Sequence, residues 1–405
     1  MFLWVSLLYI LYTVFPIFPD ITGIPVWIVN LLTFVALFVL YPRAYANPVI
    51  YWFLAYAIVL AIYVLFGKPL TIGIGTVHDS KKIIIEYAFF LPSLSVFSIL
   101  YYLKDKRLYR TISLVGLLFV AISFLYLIPL IFSDNNILRR TYSLTIATNS
   151  KPFGMPNYTL MHAYVLVVPA ILYGIKKLED WGKYMMLIVF LMFAYIILNS
   201  YITTSLIIML GVIVFNLLFD TQKKARSFFV IFLMFIIICF LHLFGVFVQM
   251  FDFLIEYFYG TAVQGKIEGF EYIYMHGNVG NSGGDITGRM SYHDLSWKAF
   301  AENIFFGGSS SVGGHSSLID RLGGMGLLAF IPFFMIIVSQ IKMFQKVFRN
   351  SEQRIYYYLG VAAAFIMLYQ KGLFGQEGWL FLIILMPGLI ITFQDSRESQ
   401  MQQRP

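Results

Sequence analysis

Cysteine is almost missing from this chain: Cys239 is the single one in 405 residues, and it sits inside an apolar run. That excludes an intrachain disulfide and a multi-cysteine metal site. Charge is scarce as well. Asp, Glu, Lys and Arg make up 12% of the residues, against about 25% in soluble domains. In their place 60% of the chain is hydrophobic, and mean hydropathy is +0.80. The composition is that of an integral membrane protein. Also lacking are an Asp-x-Asp pair, a His-x-x-x-His pair and a P-loop. The reading is therefore metal-independent and without cofactor, with no nucleotide domain in the short connections.

What the chain does have is a series of apolar runs of bilayer-spanning length, about 20 residues each. They fall near 2–19, 22–41, 49–67, 86–103, 112–132, 159–175, 184–199, 203–219, 227–248, 324–341, 355–370 and 378–394. The first lacks a basic start and a small-residue cleavage site, so it is expected to stay as a helix. The fold class expected is all-α: one polytopic domain over 1–405 with about twelve transmembrane helices.

The net charge of +8 does not point to nucleic acid, because the bases lie in short clusters between apolar runs. Alternate connections carry Arg43; Lys104, Lys106, Arg107 and Arg110; Lys176, Lys177 and Lys183; Lys223, Lys224 and Arg226; and Lys342, Lys346, Arg349 and Arg354. Short loops this basic are expected to face the cytoplasm, which puts both termini on the cytoplasmic side. Two long polar connections, 133–158 and 249–323, then lie outside. They hold Arg139, Arg140, Lys151, Lys266, Arg289, Lys298 and Arg321, and bases at the outer surface suggest an anionic ligand. A shorter outer connection with Lys68, Lys81 and Lys82 runs against the charge rule.

Connections this long are uncommon and usually functional or disordered. The second is expected to contain a short amphipathic helix, capped by Thr287, with Met290, Leu295, Ala299 and Phe300 or Ile304 on its apolar side and Gly307 and Gly308 as its stop. The runs themselves hold almost no ionisable residue: Glu86 lies at a helix start and Lys371 at a helix end. A proton- or sodium-coupled transporter would be expected to place such groups near mid-membrane.

The polar, glycine-rich stretch from Gly288 to Phe330 carries the recognisable chemistry. TGRMSYHDLSWKAF is followed by GGHSSLIDRLGGMGLLAF, and upstream stands KPFGMPNYTLMHAYVLVVP. In this order the three elements resemble the bacterial O-antigen polymerase and O-antigen ligase superfamily. Its members carry a Gly-Arg…Trp helix on the large periplasmic loop, a following His-Asn-Ser-x-Leu element, and a Gly-then-Pro-Asn element at the outer end of a span. Here Ser316 stands where Asn is usual.

The resemblance implies a GT-C-like, metal-independent membrane glycosyltransferase. It would take sugar from an undecaprenyl-diphosphate carrier and pass it either to another carrier-linked repeat unit, as a polymerase making O-antigen, capsule or exopolysaccharide, or to lipid A core, as a ligase. The polymerase branch is favoured, and the partners implied are the carrier-linked donor and acceptor, the bilayer and a chain-length regulator. A lipid-linked oligosaccharide flippase is the reading from another class; it needs a polar cavity through the spans, not polar groups gathered on one face.

A diphosphate leaving group needs charge stabilisation more than a general acid, and Arg suits it. Arg289 matches the family arginine and is assigned to the diphosphate. A second cation precedes Asn157; Arg140 is favoured, with Arg139 and Lys151 as alternatives and Arg321 as a further contact to substrate or headgroup. The attacking hydroxyl must lose a proton, and His titrates near neutrality. His315 matches the family histidine and is assigned as acceptor base, with His293, Asp320 and Glu302 as alternatives. Asn157 either orders the start of the sixth span or touches substrate. Trp297 either stacks on sugar or anchors at the interface.

Overall fold

In a bilayer core no water serves the backbone, so each long apolar run must satisfy its own N–H and C=O groups, which a helix does. A computed structural model describes residues 1–66, 68, 80–133, 137–138, 154–156, 158–200, 202–219, 236, 241–242, 245–260, 264–276, 284–309, 312–314, 316–348, 350–370 and 375–403; side chains at 80–86, 158, 203, 284–291 and 395–403 are not among the described parts. The described residues form helices and turns and contain no strand. The elements are α1 (Phe2–Val14), α2 (Ile17–Thr22), α3 (Val26–Leu40), α4 (Pro48–Leu65), α5 (Ser80–Leu103), α6 (Lys106–Ser133), α7 (Tyr158–Ala163), α8 (Val168–Lys177), α9 (Asp180–Asn199), α10 (Thr203–Leu218), α11 (Val246–Tyr257), α12 (Gln264–His276), α13 (Gly284–Glu302), α14 (Ser317–Val347), α15 (Ser351–Gln370), α16 (Gly375–Leu380) and α17 (Met386–Gln403).

Among the described residues, six segments are long and apolar enough to cross a membrane: Pro48–Leu65, Lys106–Ser133, Thr159–Lys177, Asp180–Asn199, Ser317–Val347 and Gly375–Gln394. Four shorter apolar helices, Phe2–Val14, Val26–Leu40, Tyr87–Leu103 and Thr204–Leu218, accompany them. The run expected at 227–248 lies largely outside the described residues. The run expected at 2–19 is two helices, because Pro16 has no N–H to continue α1 and disfavours helical geometry at Phe15. The run expected at 324–341 is preceded by a further helical stretch from Ser317, set off by a break at Gly326 (φ +65°). Ser316 caps it, accepting from the N–H of Ile319 at 3.1 Å, so the polar turn that hydropathy reads as loop is already helical.

The bundle wears its apolar side chains on the outside. Leu118, Ile122 and Leu125 of α6, and Ile188, Leu191 and Leu198 of α9, are all exposed. Such continuous apolar faces suit lipid, not water. The centre is the pair of segments Thr159–Lys177 and Gly375–Gln394, the second buried throughout. Both are interrupted in mid-course. Pro169 cannot donate to Val165, and Val168 N–H serves that carbonyl through a 3-10 turn over Tyr164–Val167. Before Pro387 the chain instead makes a π turn over Phe381–Leu385, where Met386 N–H bonds Phe381 O. Each irregular turn is how a proline is absorbed where no water can help.

Contacts define two ends. At one, Lys176 and Lys177 of α8 both grip Glu352 of α15, the first at 3.0 Å. Arg43, Lys104, Lys106, Arg107, Arg110, Lys183, Lys342, Lys346 and Arg354 lie at the helix ends on this same basic side. At the other end meet the α1–α3 connection, the end of α4, the starts of α7, α14 and α16, and α13.

Burial pushes the Glu352 carboxyl up, but its two ammonium partners outweigh that and hold it below the ordinary glutamate value of 4.5. The stability it contributes is therefore complete above that value and is lost as pH falls through the lowered one. Glu352→Gln should cost about 2 kcal/mol at pH 7 and weaken the acid dependence of the melting temperature of the detergent-solubilised chain. An acid limb identical in the variant would show that the pair contributes nothing to it.

Candidate functional site

Among the described residues of the connection 249–323 are most of α11 and all of α12 and α13, where the sequence pointed to one helix. α13 also starts earlier than expected: Thr287 lies inside it and does not cap it. Its buried face agrees with the expectation at Ala299, which is fully buried, and differs at Leu295, which is exposed while Ser296 is fully buried. Small side chains face α14 because the two backbones nearly touch.

Glycine makes that approach possible. A Cβ on Gly313 would stand 2.3 Å from the carbonyl oxygen of Tyr292, and one on Gly323 would stand 2.4 Å from that of Ser296. At Gly326, where α14 kinks with φ +65°, a Cβ would strike the backbone of Phe305 and Gly307. The glycine richness of the 307–326 stretch is thus a packing requirement between α13, the following turn and α14.

Asp320 fastens the contact. Its Oδ1 accepts from Ser296 Oγ at 2.6 Å, and its Oδ2 accepts from Ser316 N–H at 2.8 Å and shares the N–H of Gly314. Ser296 Oγ in turn accepts from Gly313 N–H at 3.0 Å. One buried carboxylate and one buried hydroxyl thereby hold the backbone at positions 313, 314 and 316.

Next on α14, Arg321 lies against α4. Its Nη1 donates to Ser317 O at 3.0 Å and to the Ser317 hydroxyl, its Nε reaches Tyr56 OH at 3.4 Å, and its guanidinium sits 4.5 Å from the Phe333 ring centre. Farther along the same α4–α14 seam, Tyr63 OH donates to Met325 O at 2.8 Å. Beyond the end of α4, Lys68 Nζ donates to Gly307 O at 2.9 Å. The loop end of the bundle also contains Asp20, which accepts from Gly154 N–H at 2.6 Å, and buried Glu377, which accepts from Thr159 Oγ1 at 2.8 Å. Beside Glu377, Gln376 accepts from Asn30 of α3.

The structure brings some of the sequence-derived candidates together. Asp320, Arg321 and His293 share the α13–α14 region. The His293 ring meets Tyr369 edge-on at 5.3 Å and lies within electrostatic reach of Asp320. Trp297 is half exposed and packs edge-on to Phe300. Glu302 accepts from Ser309 N–H at 3.1 Å. Arg289 is placed by its backbone in α13, four residues before His293, and its side chain lies outside the described parts. His315, Arg139, Arg140, Lys151 and Asn157 lie outside the described residues. The glycine of the Pro-Asn element is explained: Gly154 has φ +72°, and a Cβ there would lie 2.4 Å from Tyr126 OH.

Sequence reading passed over Glu377 because it falls one residue before the run expected at 378–394. The Gln-Glu pair between Gly375 and Gly378 was the available signal. Lys68 had been noticed only as an exception to the charge rule. No family model matches the chain, and no curated protein matches it.

Gly323→Ala should destabilise the detergent-solubilised chain by about 1–3 kcal/mol, because backbone atoms must move. Gly265→Ala, on a helix with open space around it, should be neutral or stabilising by up to about 1 kcal/mol. Equal melting temperatures for the two would refute the close-contact account.

Proposed function

We propose that this chain is a metal-independent membrane glycosyltransferase that polymerises undecaprenyl-diphosphate-linked oligosaccharide repeat units at the outer face of a bacterial cytoplasmic membrane. In this reading the spans number about twelve in a GT-C-like arrangement, both termini are cytoplasmic, and a chain-length regulator is a partner. The observation that carries it is the gathering of α13, residues 312–314 and the start of α14 at the end of the bundle away from the lysine- and arginine-rich end. Those elements hold the Gly-Arg…Trp and Gly-His-Ser-Ser-Leu-Ile-Asp-Arg segments that resemble the O-antigen polymerase and ligase superfamily. Basic short loops at the far end are what a cytoplasmic face would carry.

The chemistry asked of these residues is direct displacement. The acceptor hydroxyl oxygen bonds the anomeric carbon as that carbon's bond to the carrier diphosphate oxygen breaks, and the diphosphate leaves with the electron pair. Arg289 and a second cation before Asn157 hold the departing charge, which is the step where preorganised donors matter most. The hydroxyl proton goes to His315. Inversion at the anomeric carbon follows, since no covalent enzyme intermediate is formed.

Arg289→Ala and His315→Ala should each lower polymer formation by about 100-fold or more while single carrier-linked units persist at the outer face. The measurement is glycan chain length in membrane extracts, with protease or lectin access to report sidedness. Accumulation of units on the cytoplasmic side would sink the reading and favour a flippase; transfer to lipid A core without polymer would favour the ligase.

A further inference from the structure

Lys68 occupies an unusual position for a cation. The end of α4 turns back so that Phe66 N–H bonds Ile62 O at 3.0 Å and Lys68 N–H bonds Tyr63 O at 2.9 Å. This places the side chain over its own helix end, with Nζ 4.9 Å from the Tyr63 ring centre and 2.9 Å from Gly307 O. Both contacts suit a cation, and both fix it. Neither neutralises it: among the described residues no carboxylate pairs with Lys68. The ammonium is half-buried, and burial pushes its pKa down to about 8. A partly desolvated cation with no counter-ion among the described residues is relieved by an added anion.

Its surroundings narrow the anion. Gly307 belongs to the turn joining α13 to α14, whose backbone is packed against Gly324 and Gly326. The same α4–α14 seam carries Arg321, and the helix end opens toward the bilayer boundary, where exposed Leu65, Phe66 and Phe306 mark apolar surface. A compact, multiply charged oxyanion attached to a lipid fits a fixed ammonium at such a boundary.

We propose that Lys68 is a phosphate-binding residue that contacts the phosphate of a membrane-bound lipid. This deepens the function proposed above and rests on its assignment of the loop end as the substrate face, where Lys68 contributes the cation that the short outer connection otherwise has no reason to carry.

Binding is read without catalysis, so failure of the contact and failure of the glycosyltransferase reading are told apart. The full chain in nanodiscs of zwitterionic lipid is treated at pH 8 with a water-soluble acylating reagent, and the rate at each lysine is followed by mass spectrometry. Lys68 should react faster than Lys104 and Lys183 at the basic end. Polyprenyl diphosphate added to the disc should slow acylation of Lys68 by about tenfold or more and leave the other two unchanged. Phosphatidylglycerol giving equal protection would keep the phosphate site and assign it to a headgroup; inorganic pyrophosphate alone tests whether the lipid is needed. In the variants, Lys68→Gln should weaken binding of labelled polyprenyl diphosphate by about tenfold and Lys68→Arg should retain it, at unchanged melting temperature. No protection by any phosphate, or unaltered affinity in Lys68→Gln, overturns the proposal.

Discussion

The loop end of this protein depends on two backbones lying closer than side chains would allow. α13 carries a polar sequence, so no broad apolar stripe pulls it onto the bundle. What holds it is contact without Cβ atoms at Gly313 and Gly323, fastened by the Ser296–Asp320 hydrogen bond. A carboxylate is suited to that place. Its two oxygens satisfy several donors at once, and the donors are the N–H groups of a turn that would otherwise be buried unpaired. Everything proposed for the site inherits its geometry from that fastening, including the placing of Arg289 and His293 on the same helix.

The two ends treat charge in opposite ways. At the basic end, Glu352 takes both Lys176 and Lys177, so burial is compensated inside the protein. At the loop end, Asp320 is satisfied by hydroxyl and backbone donors, Arg321 rests on Phe333 and Tyr56, and Lys68 rests on Tyr63 and a carbonyl. An aromatic face and a carbonyl orient the Lys68 ammonium without neutralising it, and in the proposed function that leaves its charge for a ligand.

Much of the architecture was legible in composition and hydropathy, because a bilayer leaves the backbone little choice. The spans Pro48–Leu65 and Asp180–Asn199 lie close to the runs expected there. Misreadings came where hydropathy and backbone chemistry part company. Pro16 cut an apolar run that had the right length, and Ser316 started α14 ahead of its apolar part. The site was legible as a segment and not as a geometry. Glycines at 313 and 323 stand in a glycine-rich stretch whose spacing does not reveal their contact role, and Leu295 read as buried where Ser296 is, although Ala299 is buried as expected. Nothing in spacing alone says that a helix will pack by its smallest residues.

Lys68 shows why an exception to a rule can carry more information than agreement with it. The bias of Lys and Arg toward the cytoplasmic side reflects the cost of moving bases across a membrane, and it is strongest for short connections. In the proposed topology Lys68 is a base on the far side in a short connection, where that cost calls for an explanation. Free in solvent, it could be a headgroup contact of no consequence. Here the chain instead turns back on α4, commits two backbone hydrogen bonds, and packs the ammonium where burial disfavours its charge. In the proposed function that ordering suits a lipid-phosphate site, because it is complete before the anion arrives.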